Sequence, residues 1–354
     1  MANLYFTGTA GSGKTAIALG LALYLKEQGL RPGYFKPVGI PPGARTVEDR
    51  DAVLMRHVLG LKFEAQELAP LVLGGYYISN YKDPERCRQV IKESYAKIKA
   101  AADTVLIDGG ARPWAMAAFG LDALNLAREF EAALVYILKP ANDRSLDEAA
   151  FFARSAKERQ AAFAGVIFNN VPRALLAKTE GIYRDVLAGQ GIATLGIVPS
   201  SPELAAPTVA EFYETLGGDI LAGEDKLGNI VEDVLVGAMT IESALGYFRR
   251  SANKAVVTGG DRSEIALAAL ETDTAVLILT GGLYPNVKVL ARAAEKGVPV
   301  ILVHYDTYTT IEKLAEVSRV IHSGDTRAIA LARESVAAFC DIDKLSAWVR
   351  GTFG

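Results

Sequence analysis

One eight-residue segment near the start of the chain limits its fold more than any other feature. Gly8-Thr9-Ala10-Gly11-Ser12-Gly13-Lys14-Thr15 follows a short apolar run, Asn3–Phe6. It opens a segment, Thr15–Gln28, in which Ile17, Leu21 and Leu25 fall on one helical face. A strand, a glycine-rich turn and a helix in that order make the Walker A pattern. The glycines let backbone N–H groups turn inward around phosphate oxygens, and the helix N-terminus adds partial positive charge. Lys14 is expected to reach the β- and γ-phosphates of a nucleoside triphosphate, and the Thr15 hydroxyl to bind Mg²⁺. All eight residues from Gly8 to Thr15 are therefore expected nucleotide contacts.

Beyond this motif, short apolar runs alternate with helical segments. Strands are expected at Tyr34–Val38, Thr104–Ile107, Ala133–Leu138, Gly165–Phe168 and Leu195–Val198, and a helix at Asp49–Leu59. Strands fed by helices imply parallel pairing with right-handed crossovers, and runs apolar at every position fit a sheet covered on both faces. Leu216–Asp225, rich in glycine and acidic residues, breaks the rhythm and suits a linker or a domain edge. A second series follows, with strands at Ala255–Val257, Ala275–Leu279 and Val298–Val303. Its helices are expected at Ser263–Glu271, Asn286–Glu295 and Thr310–Val317. The expected organisation is a nucleotide-binding domain over 1–216, a smaller α/β domain over 226–325 and a helical segment over 326–354.

Magnesium needs further oxygen ligands, usually carboxylates. Asp108 ends the Thr104–Ile107 run, at the end of a parallel sheet where ligands bind. The same residue could instead cap the turn at Gly109-Gly110. Asp49 and Asp51 open a helix, where either could bind metal or complement the helix dipole. Lys36, before Pro37, could face a phosphate or a substrate carboxylate, or lie on the surface. In the second series, Gly259-Gly260 and Gly281-Gly282 end successive strands near Asp261, Arg262 and Asp306. That pattern suits a ligand site or a set of tight turns and caps.

Together these residues resemble the dethiobiotin synthetase family over about the first 215 positions. The likeness rests on Gly8–Thr15, Lys36-Pro37-Val38, Asp51-Ala52, Asp108-Gly109-Gly110 and Gly165-Val166-Ile167-Phe168-Asn169. It implies a P-loop NTPase parallel sheet with helices on both faces, binding ATP and Mg²⁺. Thr15, Asp51 and Asp108 would surround the metal, Asn169 would lie near the base, and Lys14 and Lys36 would act in catalysis. Only Asn169 bears on ATP against GTP. The family usually has Glu where Asp108 stands, and its phosphate loop is longer. Gly237-Ala238-Met239, Val257–Arg262, Leu279–Gly282 and His304–Tyr308 resemble a DRTGG domain. A synthetase-like domain followed by DRTGG is the arrangement at the N-terminus of long phosphate acetyltransferases, where the pair looks regulatory. The chain stops at Gly354, so their acetyl-transferring domain is expected to be absent.

Two functions follow as expectations. One is an ATP-dependent ligase- or kinase-type enzyme acting on a small carboxylate. The other is a nucleotide-sensing regulator without acetyl transfer. Composition narrows the partners. A formal net charge of −3 without a basic run argues against nucleic acid. No apolar run is long enough to span a bilayer, and the N-terminus carries no charged leader. Two cysteines, Cys87 and Cys340, are too few for a disulfide framework. A cytoplasmic protein with a small-molecule substrate or effector is expected, and a homo-oligomer stays open.

Overall fold

Residues 2–39, 48–74, 76–110, 112–315, 317 and 319–352 are described by the computed structural model. All six residues of β1 (Asn3–Gly8) are buried. Leu4 and Phe6 enter one core and Tyr5 enters a second on the opposite face, as a strand covered on both sides requires. The other strands of the first unit are β2 (Pro32–Phe35), β3 (Val38–Gly39), β4 (Leu71–Val72), β5 (Thr104–Asp108), β6 (Ala132–Leu138), β7 (Phe163–Val171) and β8 (Thr194–Pro199). Six of them form one sheet in the order β2-β5-β1-β6-β7-β8, parallel throughout. β3 and β4 pair separately. β1 lies between β5 and β6, where connections diverge to either side, so a crevice opens at its carboxyl end.

The run expected as one strand over Tyr34–Val38 is broken at Lys36-Pro37. Proline has no N–H for a ladder, and the Lys36 N–H leaves the sheet to donate to the Leu68 carbonyl at 2.8 Å. This break aims the Lys36 side chain at the start of the next helix.

The chain forms two compact units, one of 1–204 with 321–354 and one of 205–320. The expected domain limits are corrected in two places. The segment 326–354 does not stand apart. Its helices, Thr326–Phe339 and Ile342–Arg350, bury Ala328, Ala332, Val336, Leu345 and Val349 in the core shared with Ile17, Leu21 and Leu25 of α1 (Lys14–Glu27). The contact with α1 is backbone-close, because a Cβ on Gly20 would sit 2.4 Å from the Ala332 carbonyl oxygen. The Ala2 N–H also donates to the Val349 carbonyl at 2.9 Å.

The second correction concerns Leu216–Asp225, which is not a linker. The helix Val209–Leu216 ends there, and β9 (Asp219–Ala222) joins the sheet of the second unit. With β10 (Asp233–Val236), β11 (Lys254–Gly259), β12 (Thr274–Thr280) and β13 (Val300–Leu302) it gives the order β10-β11-β12-β13-β9. The first four are parallel and β9 is antiparallel to β13. Gly218 belongs to this pairing. Its φ is +89°, and a Cβ there would lie 2.1 Å from the Leu302 carbonyl oxygen. Val256, Leu277, Leu279 and Val300 fill one face of the sheet, and Val257, Ile278 and Ile301 the other. Among the described residues no helix is long and apolar enough to cross a membrane.

Candidate functional site

Two glycines of the phosphate loop, Gly8 and Gly13, take positive φ where a side chain would also be crowded. Gly8 has φ +146°, and a Cβ on it would sit 2.1 Å from the Ile137 carbonyl oxygen of β6. Gly13 has φ +82°, and a Cβ on it would meet Asn169 Nδ2 at 2.2 Å. The loop is therefore wedged between β6 and Asn169. Lys14 folds back over it, with Nζ donating to the Thr9 carbonyl at 2.7 Å and lying 3.5 Å from Ser12 Oγ. Lys14 is only 7% exposed. Burial pulls its ammonium below the ordinary lysine range, against the pull of Asp108. Beneath the loop, the buried Thr7 hydroxyl has no hydrogen-bond partner among the described residues.

Asn169 follows the Phe168 end of the expected strand and lies inside β7. Its Nδ2 donates to the Ser12 carbonyl at 2.8 Å. The side chain expected near the base is thus placed against the loop itself.

Asp108 ends β5 with its carboxylate fixed from three sides. Oδ2 accepts from Thr15 Oγ at 2.8 Å and from the Tyr34 hydroxyl at 3.2 Å, and Oδ1 accepts from the Gly110 N–H at 3.2 Å. The turn cap and the approach to Thr15 coexist in one side chain. Burial, and then the Asp108 charge, hold the Tyr34 phenol far above its ordinary range, so it stays a donor.

α2 (Arg50–Leu59) separates the roles of Asp49 and Asp51. Asp49 is the N-cap, accepting from the Ala52 N–H at 3.0 Å, and is buried. It also pairs with Lys36 at 2.9 Å. Asp51, in the first turn, pairs with Lys36 at 2.5 Å. Burial would raise the Asp51 carboxyl, but Lys36, with hydrogen bonds from Lys36 and Thr15, brings it below the ordinary range. Asp49, more deeply enclosed, is pushed up by burial against the pull of Lys36. Lys36 is 3% exposed, which excludes a surface lysine. Burial opposes its charge, yet Asp51, Asp108 and Asp49 together outweigh that and hold it above the ordinary range.

The fold thus brings Gly8–Thr15, Lys36, Asp51, Asp108 and Asn169 to one end of one sheet. The hydroxyl of Thr15 and the carboxylates of Asp51 and Asp108 are hard oxygen donors suited to Mg²⁺. Among the described residues, no three His, Cys, Asp or Glu side chains gather to hold a metal by themselves. That suits an ion which keeps waters and takes phosphate oxygens beside one or two carboxylates. Tyr34 was missed by the sequence reading. Its signal was its place in the expected strand that leads to Lys36.

In the second unit the glycine pairs make tight turns. A Cβ on Gly260 would sit 1.7 Å from the Leu283 carbonyl oxygen, and Gly281 and Gly282 have φ of +83° and +66°. Asp306 accepts from the Thr309 N–H at 2.7 Å and so caps the helix Thr307–Ala315. Arg262 donates to the Gly237 carbonyl at 3.0 Å.

Comparison with known proteins agrees with this division. A family model described as AAA domain matches residues 2–208, and one described as DRTGG domain matches 211–317. Two curated relatives are named phosphate acetyltransferase. The one from Pseudomonas putida is 26% identical over 97% of this chain and 50% of its own length. The one from Nitratidesulfovibrio vulgaris is 27% identical over 92% of this chain and 49% of its own length. The chain therefore spans about half the length of the curated relatives it matches, consistent with the N-terminal part of long phosphate acetyltransferases. Among solved structures, the septum site-determining protein MinD complexed with Mg-ADP from Pyrococcus horikoshii matches with TM-score 0.37 and 18% identity, over 58% of this chain and 84% of that one.

Proposed function

The chain belongs to the AAA domain family, matched over residues 2–208, and on that premise we propose that it binds Mg-ATP at Gly8–Thr15 and transfers the γ-phosphoryl group to a small carboxylate. The observation that carries this reading is the convergence of buried Lys14, Lys36 and Asp108 with half-buried Asp51 at the loop end of the sheet. A structural ion cluster would not need Lys14 folded back over a glycine loop. When bound, Mg²⁺ would neutralise charge on bridging phosphate oxygens. Thr15, Asp108 and Asp51 are the residues that would hold it.

Lys14 already hangs over the loop on a neutral carbonyl, so turning to a phosphate oxygen exchanges that contact for a charge-assisted one. Lys36 is the second cation. In the transfer, the bond from the γ-phosphorus to the β–γ bridging oxygen breaks and a bond from the acceptor carboxylate oxygen forms, leaving ADP and an acyl phosphate. Lys14 and Lys36 would offset charge on the moving phosphoryl group. Asn169 would keep the loop in register through the Ser12 carbonyl.

A second reading is a nucleotide-responsive regulator, favoured by the DRTGG match and by relatives of about twice the matched length. A screen of small carboxylates for stimulated release of ADP separates the two. Turnover with one acceptor selects the enzyme. Tight Mg-ATP binding with no turnover across the screen selects the regulator. Failure to bind any nucleoside triphosphate removes both.

A further inference from the structure

We propose that Tyr34 is a positioning residue for the magnesium site, setting the orientation of the Asp108 carboxylate through its buried hydroxyl. The inference rests on reading Asp108 as a carboxylate of that site. Tyr34 lies in β2, the edge strand paired with β5, in register with Leu106. Asp108 is two residues beyond Leu106, so both side chains stand on the face that packs against α2. The Tyr34 ring is fully buried with Leu54, Met55 and Leu106. Phenylalanine would serve that packing equally well. The hydroxyl needs a partner once buried, and the one it takes is Asp108 Oδ2, at 3.2 Å.

That oxygen also accepts from Thr15. A threonine can give a lone pair to a metal while its proton still points at Asp108, so the Thr15 bond is free to adjust. The Tyr34 bond comes from a ring locked in the core and cannot. With Gly110 N–H on Oδ1, it leaves the carboxylate plane little freedom to turn. Tyr34 touches neither nucleotide nor metal in this arrangement and acts only through Asp108. Two residues further along, Lys36 leaves the same strand for Asp49 and Asp51. The edge strand and the residue just after it therefore supply the positioning hydroxyl and the second lysine.

The test is the ratio of ATP dissociation constants in EDTA and in excess Mg²⁺, measured by calorimetry on the full chain. Tyr34→Phe should lower that ratio about three- to tenfold, the scale of one hydrogen bond, while leaving affinity in EDTA unchanged. In an Asp108→Asn background, Tyr34→Phe should have no further effect. An unchanged ratio in Tyr34→Phe, or equal weakening with and without Mg²⁺, overturns the proposal, since a loosened core would act on both conditions alike. If Asp108→Asn itself leaves the ratio unchanged, the assignment of Asp108 is what fails, and this proposal falls with it. Tyr34→Met, which keeps an apolar filler and lacks the donor, replaces Tyr34→Phe should that variant not fold, and is judged by the same ratio.

Discussion

At the carboxyl end of the first unit's sheet, β1 runs into a glycine loop under Lys14, β5 ends on Asp108, and Lys36 is buried between two aspartates. At the same end of the second unit's sheet, β11 also ends on glycine, but its hydroxyls face neighbouring backbone and side chains. Thr258 donates to the Gly237 carbonyl at 3.1 Å, and Thr280 Oγ lies 2.9 Å from that of Thr307. The charged residues there, Asp261, Arg262 and Asp306, are exposed. Glycine-terminated parallel strands are therefore common to the two sheet ends, and buried charge at that end is not; the buried charges of the second unit, Lys254 and Glu211, lie at the start of β11 and in the helix Val209–Leu216. Burying a charge is costly unless it is compensated, so the first unit maintains an arrangement that packing alone would not select. The units also differ in continuity, since the second is one stretch of chain and the first is closed by residues from its far end.

The largest expected effect tests that continuity. A fragment of residues 1–204 loses the partners of α1, including Val336, Leu345 and Val349. Each such side chain contributes about 1.5–3 kcal/mol when buried, against a typical net stability of about 5–15 kcal/mol. That fragment should fail to give a cooperative thermal transition, whereas 205–320 alone should show one by calorimetry. A cooperative transition and wild-type ATP affinity in 1–204 would break the contrast.

Next comes the charge. Lys14→Ala should weaken ATP binding on the order of ten- to a hundredfold, since a hydrogen bond to a charged group contributes about 1.5–3 kcal/mol. Arg262→Ala, at the corresponding end of the other sheet, should leave ATP affinity unchanged. Titration calorimetry reads both, and equal losses would show that the two sheet ends are not chemically distinct.

Helix glycines give a smaller test. Gly20→Ala should destabilise the first unit by about 1–3 kcal/mol through overpacking on Ala332. Gly246, in the helix Ile241–Phe248, has open space around its Cα. Gly246→Ala should stabilise the second unit by about 0.5–1 kcal/mol, the ordinary preference of a helix for alanine. Opposite shifts in melting temperature are expected, and shifts of one sign would contradict the packing at Gly20.

The smallest effect is in pH. Because burial lowers the Lys14 ammonium, the cation that phosphate needs is lost earlier on raising pH than for an ordinary lysine, whose value is about 10.4. ATP affinity should fall with rising pH before that value is reached. A fall delayed to the ordinary lysine range would mean that Lys14 is better hydrated than its position implies.

Much of this was legible in residue order. The alternation of apolar runs and helical faces located the strands of the main sheet to within a few residues, because buried parallel strands must be apolar at nearly every position. The phosphate loop was legible because backbone geometry there admits only glycine. The edge strand β9 was not. It is four residues long and flanked by glycines, a composition that also describes a linker. The pairing of Asp219–Ala222 with Val300–Leu302, and the approach of Leu302 to Gly218, tell the two apart. The return of 326–354 to the first unit was likewise hidden, since a helix pattern states which face is apolar and not which core receives it. Tyr34 escaped for a similar reason: a tyrosine in a strand reads as core until its hydroxyl is followed to Asp108.

The contact between Gly20 and Ala332 has a consequence for the order in which the chain is made. About 310 residues separate the two positions, so at synthesis rates of about 5–20 residues per second the two emerge roughly 15–60 s apart. During that interval the α1 helix carries an apolar face with nothing to receive it, while the residues of the second unit emerge and can fold in full. The segment that carries the phosphate loop thus leaves the ribosome well before Ala332 and reaches its final packing only after it. Its foldability in the cell is a matter of how that face is kept from other chains in the meantime.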